Sequence, residues 1–355
     1  MIITDKRMTK TVSPGRSAGK RPRKSRRFVI DFHAHMVVPE VFAFSKNHTV
    51  KSPLPDNPRL TKKVIEQTRK WGEAARRRMG DFKLRLRDMD KAGVDMQVLT
   101  PSLVHQFTYW AAPAASLKME RLTNDRVAEI VASKPDRFIG LGGVPLQSPK
   151  LAIRELERCV NELGLKGVQV SNPVRDMELG DPRLRLFWAK AVELGAVIYV
   201  HPAGITDKRY EKHQLWNSIG QPLEEAMAMA SLFYEGVLDD FPKLKICIGH
   251  GGGYLPFYPG RVDRNYMEKP ATRLNMSKSP SQYMRMFTYD SCVYDVDMLK
   301  FLIKKVGAGR VVMGSDYPVG EKDPVGFVRK ARSISAADKE KILWKNAARI
   351  LGLSL

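Results

Sequence analysis

Two histidines, His33 and His35, close a short apolar stretch near the start of the chain, with Ala34 between them. Side chains at positions i and i+2 of a β-strand project from the same face, so both imidazoles enter one space. Neutral imidazole nitrogens are common ligands of divalent transition metals. The pair therefore indicates a metal site if other ligands reach the same point. In isolation, an H-x-H pair can equally be two polar residues at a strand end.

Further residues of metal-binding type follow three other apolar runs. His201 follows "AVIYV", His250 follows "KICIG" and Asp316 follows "RVVMGS". A lone histidine there is more often a hydrogen-bonded packing residue, and a lone aspartate more often a cap. All of them, however, stand at the carboxyl ends of predicted strands, where β/α barrels build their active sites. The joint pattern predicts a site for one divalent cation, best suited to Zn²⁺, with Mn²⁺, Fe²⁺ or Co²⁺ as alternatives.

The elements that must position these residues are short β-rich runs alternating with helical patterns. Eight strands are predicted, at 28–35, 94–100, 137–144, 167–172, 196–201, 245–250, 287–293 and 310–316. Helices are predicted between them, notably at 81–93, 116–135, 149–164 and 181–195. Apolar strands flanked by helices favour a covered parallel sheet. The predicted fold is therefore α/β, a (β/α)8 TIM barrel, with an open doubly wound sheet as the alternative.

A long insertion, residues 36–80, separates the first strand from the first regular barrel helix. Its first part holds four prolines, Pro39, Pro53, Pro55 and Pro58, and a basic helix is predicted at 60–79. Long loops at the carboxyl rim of barrel strands commonly line the active site. We therefore expect the insertion to shape the substrate pocket, the alternative being a surface excursion.

The first 27 residues form a strongly basic segment. They contain ten Lys and Arg residues and one acid, Asp5, and so carry +9 of the formal net charge of +22. Without apolar periodicity, this segment is predicted to be a disordered tail, and residues 28–355 to be the barrel domain. The remaining positive charge, on residues 28–355, would attract small anions. No nucleic-acid reading motif is present, so we expect no nucleic-acid partner.

The chain shows no sign of membrane insertion or export. Its apolar runs are too short to cross a bilayer, and Arg26-Arg27 is not followed by the apolar core of a signal peptide. The three cysteines, Cys159, Cys247 and Cys292, are widely separated, which favours free thiols over disulfides or a thiolate zinc site. A cytoplasmic location is predicted, with Cys292 close to the site.

Several motifs resemble the amidohydrolase superfamily, in its branch of metal-dependent decarboxylases. They are the H-x-H pair followed by Pro39, "VHP" at 200–202, "GHGGG" at 249–253, "PGR" at 259–261 and "GSDYP" at 314–318. The similarity extends over about residues 80–355. The resemblance implies that His33, His35, His201 and Asp316 bind the metal and that His250 is the acid/base residue beside it. It also implies a homodimer or higher homo-oligomer, in which Arg261 can reach the neighbour's pocket and bind a substrate carboxylate.

Other substrate contacts are predicted on the second βα loop. Tyr109 and Trp110 belong to a "YWA" stretch that resembles the family, and His105 follows the second strand closely enough to line the pocket. The chain departs from the family after "HP", where Ala203 and Gly204 stand in place of a tryptophan. The family's first substrate-binding arginine has no clear counterpart, although 76–78 offers three arginines.

Together these features predict an enzyme acting on a small-molecule carboxylate. A metal-dependent decarboxylase must act on an acid that can delocalise the electrons left behind by CO₂, so we expect an unsaturated or aromatic carboxylic acid from catabolism. The alternative is a metal-dependent hydrolase of a lactone, amide or other acyl bond, because the same ion can activate water toward a carbonyl.

Overall fold

The computed structural model describes residues 28–45, 61–102, 107–203, 208–210 and 212–354. The predicted tail at 1–27 lies outside these residues, as do the middle of the predicted insertion, His105 and Gly204. None of the described helices is long and apolar enough to cross a membrane.

Parallel strands form the centre of the molecule. They are β1 Ile30–Met36, β2 Met96–Pro101, β3 Phe138–Gly140, β4 Gly142–Gly143, β5 Gly167–Val170, β6 Val197–Val200, β7 Lys245–Ile248, β8 Thr288–Asp290 and β9 Val311–Val312. The short β3 and β4 are two parts of one predicted strand, interrupted at Leu141, whose N–H still donates to the carbonyl of Leu99 at 3.0 Å. The eight predicted strands are therefore all present.

The strands close into a barrel. They follow one another in chain order, as a three-stranded sheet β1-β2-β3 and a six-stranded sheet β4 to β9. The last gap is closed where the Phe32 N–H donates to the Met313 carbonyl at 2.8 Å and the His35 N–H to the Tyr317 carbonyl at 2.9 Å. Because first and last strands are joined in this way, the predicted (β/α)8 barrel is confirmed and the open sheet is excluded.

Several strands end earlier than predicted, for a local reason. β9 stops at Val312 rather than at 316, since the N–H of Met313 donates to the carbonyl of Ile342 at 2.8 Å instead of to a neighbouring strand. β5 stops at Val170, because the N–H of the next residue, Ser171, donates to the hydroxyl of Tyr109 at 3.3 Å instead of to a neighbouring strand. His201, His250 and Asp316 therefore lie just beyond their strands, whereas His33 and His35 lie within β1.

Helices surround the barrel. They are α1 Pro39–Phe44, α2 Lys62–Gly80, α3 Phe82–Ala92, α4 Pro113–Ser133, α5 Pro149–Asn161, α6 Arg185–Glu193, α7 Gln221–Tyr234, α8 Val237–Asp240, α9 Pro259–Glu268, α10 Pro280–Met284, α11 Val296–Val306, α12 Pro324–Lys330, α13 Ala336–Glu340 and α14 Asn346–Leu351. Start and stop signals explain their bounds: at α3, the Asp81 side chain accepts from the Leu84 N–H, and Gly93 is left-handed at the end. The predicted basic helix of the insertion is α2.

A bulge in β1 lies directly at the H-x-H pair. Asp31 pairs with Gln97 and Ala34 with Leu99, so two residues of β1 oppose a single residue of β2. Bulges of this kind turn a side chain toward an active site. Aromatic side chains fill the core beside it: the buried rings of Phe32 and Tyr199 are in contact, with centroids 5.8 Å apart.

Gly167 is a sensitive point of the barrel wall. It has a φ of +148°, and a Cβ added there would lie 1.9 Å from the backbone oxygen of Val197. We expect Gly167→Ala to lower the free energy of unfolding by about 2–3 kcal/mol, because backbone atoms cannot move aside cheaply. Chemical denaturation would measure this loss. Gly72→Ala is the matched control: it lies in α2 with nothing within 4 Å of the new Cβ, and should leave stability equal or slightly higher.

Candidate active site

Two histidines and one aspartate meet with their ligand atoms almost in contact at the carboxyl rim of the barrel. The Nε2 atoms of His33 and His35 are 3.1 Å apart. Asp316 Oδ1 lies 3.0 Å from the Nε2 of His35 and 3.4 Å from that of His33. The side chains of β1 thus meet the loop after β9, at the seam where the barrel closes.

His201 and His250 complete the group. The ring centroid of His201 lies 4.9 Å from that of His33 and 4.7 Å from that of His35. His250 places its Nε2 3.8 Å from Asp316 Oδ2. One ligand atom from each of His33, His201, His250 and Asp316 falls within 4.8 Å of all the others. The structure therefore brings together all five residues selected from the strand ends.

The donor set fits a divalent metal ion. Ligands bound to one ion at about 2.0–2.2 Å must lie roughly 3–3.5 Å from each other, which matches the contacts among His33, His35 and Asp316. Burial, aided by the neighbouring imidazoles, lowers the pKa of His201 well below its ordinary value, and burial lowers the pKa of His35. Both are therefore held in the neutral form that binds metals. Burial opposes ionisation of Asp316, but the surrounding histidines hold the pKa of its carboxyl well below the usual range.

A buried carboxylate sets the orientation of His33. The Nδ1 of His33 lies 2.8 Å from Asp290 Oδ2, and the hydroxyl of Tyr199 donates to the same oxygen at 3.0 Å. Asp290 is itself fixed by the backbone N–H of Cys292 at 3.0 Å. Since a carboxylate accepts, Nδ1 of His33 carries the hydrogen and Nε2 presents its lone pair to the cluster. The His33 ring is thus held at Nδ1, with its Nε2 directed at the cluster.

Three site residues have left-handed backbone conformations that side chains rarely adopt. The φ angles are +44° at His250, +54° at Tyr294 and +55° at Asp316. Each costs on the order of 1–3 kcal/mol, and such residues persist only where the surrounding structure holds them. At Asp316, the N–H groups of Val319 and Gly320 both donate to its carbonyl at 2.9 Å. The turn that aims the carboxylate at the histidines is therefore enforced by its own loop.

A cavity of about 460 Å³ opens beside the cluster. Its walls include His250, Asp316, Tyr294, Cys292 and Phe257. The Tyr294 hydroxyl donates to Asp316 Oδ2 at 2.9 Å, so the oxygen of Asp316 that faces away from His35 is also held. The volume suits a small organic molecule. Cys292, expected near the site, does line it.

Three of the predicted substrate contacts, Tyr109, Trp110 and Arg261, lie away from this cavity. Tyr109 is buried, and its hydroxyl accepts from the Ser171 N–H at 3.3 Å, beside the strand that carries His201. Trp110 is half-buried against the core, and Arg261 is exposed on α9. None of these three lines the cavity as the described residues form it, and His105 lies outside those residues. Their contact with substrate stays a prediction.

Residues that the sequence reading missed include Asp290, Tyr199 and Tyr294. Asp290 stands at the carboxyl end of β8, the same kind of position that singled out His201 and Asp316. Asp290 could therefore have been selected from the sequence by its position at a strand end. Tyr294 lies four residues farther along, and only the folded loop shows that its hydroxyl reaches Asp316.

The chain is similar in sequence to known proteins of one family. A model of the amidohydrolase family matches residues 30–353, nearly the whole chain. The protein belongs to the amidohydrolase family. This amidohydrolase is 36% identical over 277 residues to a 2-amino-3-carboxymuconate-6-semialdehyde decarboxylase of Dictyostelium discoideum, covering 77% of each chain. It is 31% identical over 300 residues to a gamma-resorcylate decarboxylase of Polaromonas, covering 80% of this chain and 91% of the relative. The resemblance read from the motifs is confirmed.

Solved structures give the same picture of the amidohydrolase fold. A dihydroxybenzoic acid decarboxylase from Polaromonas, determined with bound manganese and the inhibitor 2-nitroresorcinol, superposes with a TM-score of 0.77 at 28% identity. The match covers 92% of this chain and 97% of that one. A 5-carboxyvanillate decarboxylase from Sphingomonas paucimobilis gives 0.78 at 27% identity, over 92% and 99% of the two chains. A divalent ion, zinc or manganese, is consistent with the donor set described above.

Asp290 should control metal affinity through His33. In Asp290→Asn, the amide can donate to Nδ1 of His33 and so move the ring hydrogen to Nε2, the atom that faces the cluster. We expect metal binding to weaken by about 10–100-fold. Competition with a chromophoric chelator would measure it. Asp297→Asn, an exposed change on α11, is the control and should bind as the unmodified protein does. An unchanged affinity in Asp290→Asn would contradict the role of Asp290.

Proposed function

We propose that this amidohydrolase is a metal-dependent, non-oxidative decarboxylase of an unsaturated or aromatic carboxylic acid used in catabolism. The observation that carries the proposal is the cluster of four histidines and Asp316 at the barrel rim, open to a cavity of small-molecule size. The relatives that share this fold, at 27–36% identity, are named as decarboxylases.

His33, His35, His201 and Asp316 are the proposed metal ligands. Their imidazole and carboxylate donors suit Zn²⁺, our first choice, and Mn²⁺, which related decarboxylase structures contain. When bound, the ion supplies Lewis acidity toward the oxygens of a carboxylate substrate. Tyr294 and Asp290, which hold Asp316 and His33, keep these ligands in place before the substrate arrives.

His250 is the proposed proton carrier. Its Nε2 faces Asp316 and the cavity, so a substrate beside the ligands lies within its reach. Burial opposes protonation, but the carboxylates of Glu225 and Asp316 raise the pKa of His250 well above its ordinary value. The imidazolium can give its proton to the ring or alkene carbon that carries the carboxylate. The bond to CO₂ then breaks, its electrons return to the carbon skeleton, and the new C–H bond stays in the product.

The substrate class follows from this chemistry. A carbon that accepts a proton before losing CO₂ must belong to a system that spreads the resulting charge, such as a phenol ring or an enamine. The relatives act, by their names, on gamma-resorcylate, 5-carboxyvanillate and 2-amino-3-carboxymuconate semialdehyde, all of this type. The apolar and aromatic walls at Phe257, Val293 and Met298 suit a flat ring.

Several finer features form part of the same proposal. We propose a homodimer or higher homo-oligomer in which Arg261, exposed on α9, reaches a neighbouring pocket and binds a substrate carboxylate. Tyr109, Trp110 and His105 are proposed to contribute to substrate binding, and the insertion containing α1 and α2 to shape the pocket. Residues 28–355 are proposed to form the barrel domain, separate from the basic segment 1–27. The three cysteines, all free and buried, suit a reducing cytoplasm.

A direct assay tests the reaction class. Purified protein is analysed for bound metal and then incubated with gamma-resorcylate, 5-carboxyvanillate and related acids, while CO₂ is recorded. We expect one CO₂ per product molecule, loss of activity on chelation, and recovery with Zn²⁺ or Mn²⁺. Release of an alcohol or amine together with a new carboxylate from an ester, lactone or amide would instead show acyl hydrolysis.

Two classes of variant separate metal binding from proton transfer. His33→Ala and Asp316→Ala should lose both metal and turnover, because each removes a ligand. His250→Ala should keep its metal and lose about 100–10,000-fold in kcat, the usual size of a general acid/base contribution. Metal content by mass spectrometry and steady-state kinetics measure both effects. Normal turnover in His250→Ala would mean that another group carries the proton.

A further inference from the structure

An acidic residue, Glu225, lies where helix α7 should be apolar. The buried positions of α7 are Gln221, Glu225, Ala228, Met229, Leu232 and Phe233, which follow the spacing of one helical face. Glu225 is fully buried on this face. A buried carboxylate is costly in a core and adds little to stability that an apolar side chain could not supply. We therefore expect the buried carboxylate of Glu225 to have a polar or charged partner.

That partner is His250. Oε1 of Glu225 lies 2.7 Å from Nδ1 of His250, the ring nitrogen opposite the one that faces Asp316. The second oxygen, Oε2, is buried with no hydrogen-bond partner among the described residues. The backbone is packed closely around this contact, since a Cβ on Gly249 would lie 2.9 Å from Oε1. The carboxylate thus makes one specific contact, directed at the imidazole.

We propose that Glu225 is a positioning residue that fixes the tautomer and ring orientation of His250. An accepting carboxylate keeps the hydrogen on Nδ1, so in the neutral ring the lone pair lies on Nε2, toward Asp316 and the cavity. Each proton gained or lost during the reaction is then handled at Nε2. The contact also holds His250 in its left-handed backbone position, at φ +44°.

The neighbouring residue provides an internal comparison. Glu224 points away from the site and accepts from Asn172 Nδ2 at 3.2 Å. It is only partly buried, and within the described part of the chain its hydrogen bond joins it to Asn172 and not to the cluster. A Glu→Gln change at 224 therefore makes the same chemical alteration one residue away from the proposed positioning group.

The kinetic part of the test rests on the proposed decarboxylase function. We expect Glu225→Gln to lower kcat by about 10–100-fold with little change in KM and full metal content, since the substrate and the ion do not touch Glu225. Glu225→Met, which replaces the carboxylate by an apolar chain of similar length on an apolar face, should fold at least as well and be equally slow. Glu224→Gln should match the unmodified enzyme. Normal kcat in Glu225→Gln or Glu225→Met would overturn the proposal.

A second readout does not depend on turnover. In zinc-loaded protein with ¹⁵N-labelled histidine rings, His250→Gln identifies the His250 signals. At a pH high enough to deprotonate the His250 ring, we expect the Nδ1–H tautomer in the unmodified protein and in Glu224→Gln, and a tautomer mixture in Glu225→Met. Identical His250 signals in Glu225→Met would refute the role of Glu225. If the tautomer shifts while no acid is decarboxylated, the proposed function fails and the role of Glu225 stands.

Discussion

The structure depends on one constraint: four imidazoles and a carboxylate must be held within a few ångströms of each other in a buried place. The contacts of 3.0–3.4 Å among His33, His35 and Asp316 leave no room for water between them. Ligand lone pairs directed at one point repel each other unless a cation lies between them, and the desolvated carboxylate needs positive charge nearby. Only a rigid frame can keep such a group together, and a closed parallel barrel is such a frame because all its strands deliver their ends to one rim.

The frame is reinforced where the first and last strands meet. Asp31, fully buried, accepts from the Ser315 hydroxyl at 2.6 Å, the Ser315 N–H at 2.9 Å and the Gln97 amide at 2.9 Å. It thereby ties β1 and β2 to the residue that precedes Asp316. From the other side, the buried Arg85 donates to the carbonyl of His35 and lies over the ring of Tyr317, 4.6 Å from its centroid. These polar contacts fix the register between His35 and Asp316, which packing alone would leave loosely defined.

A common device controls two of the histidines. Each has a buried carboxylate hydrogen-bonded to its Nδ1: Asp290 for His33 and Glu225 for His250. In both cases the carboxylate decides which ring nitrogen faces the cluster. The surroundings differ: Asp290 has further donors in Tyr199 and Cys292, and its pKa is lowered despite burial. Among the described residues, the carboxylate of Glu225 has a hydrogen bond only with His250, and burial raises its pKa to about 7.

The sequence by itself determined the barrel, its eight strands and the five residues of the cluster. Strand and helix periods differ, and His33, His35, His201, His250 and Asp316 lie next to apolar runs whose length and composition favour buried strands, so local patterns carried this information. Only the tertiary structure decided which residues stand behind the ligands. Glu225 lies on a helix 25 positions from His250, and Tyr294 reaches Asp316 from another loop, so no spacing along the chain connects them. Such contacts arise because the closed barrel brings distant segments to one rim, and that closure is a property of the whole fold.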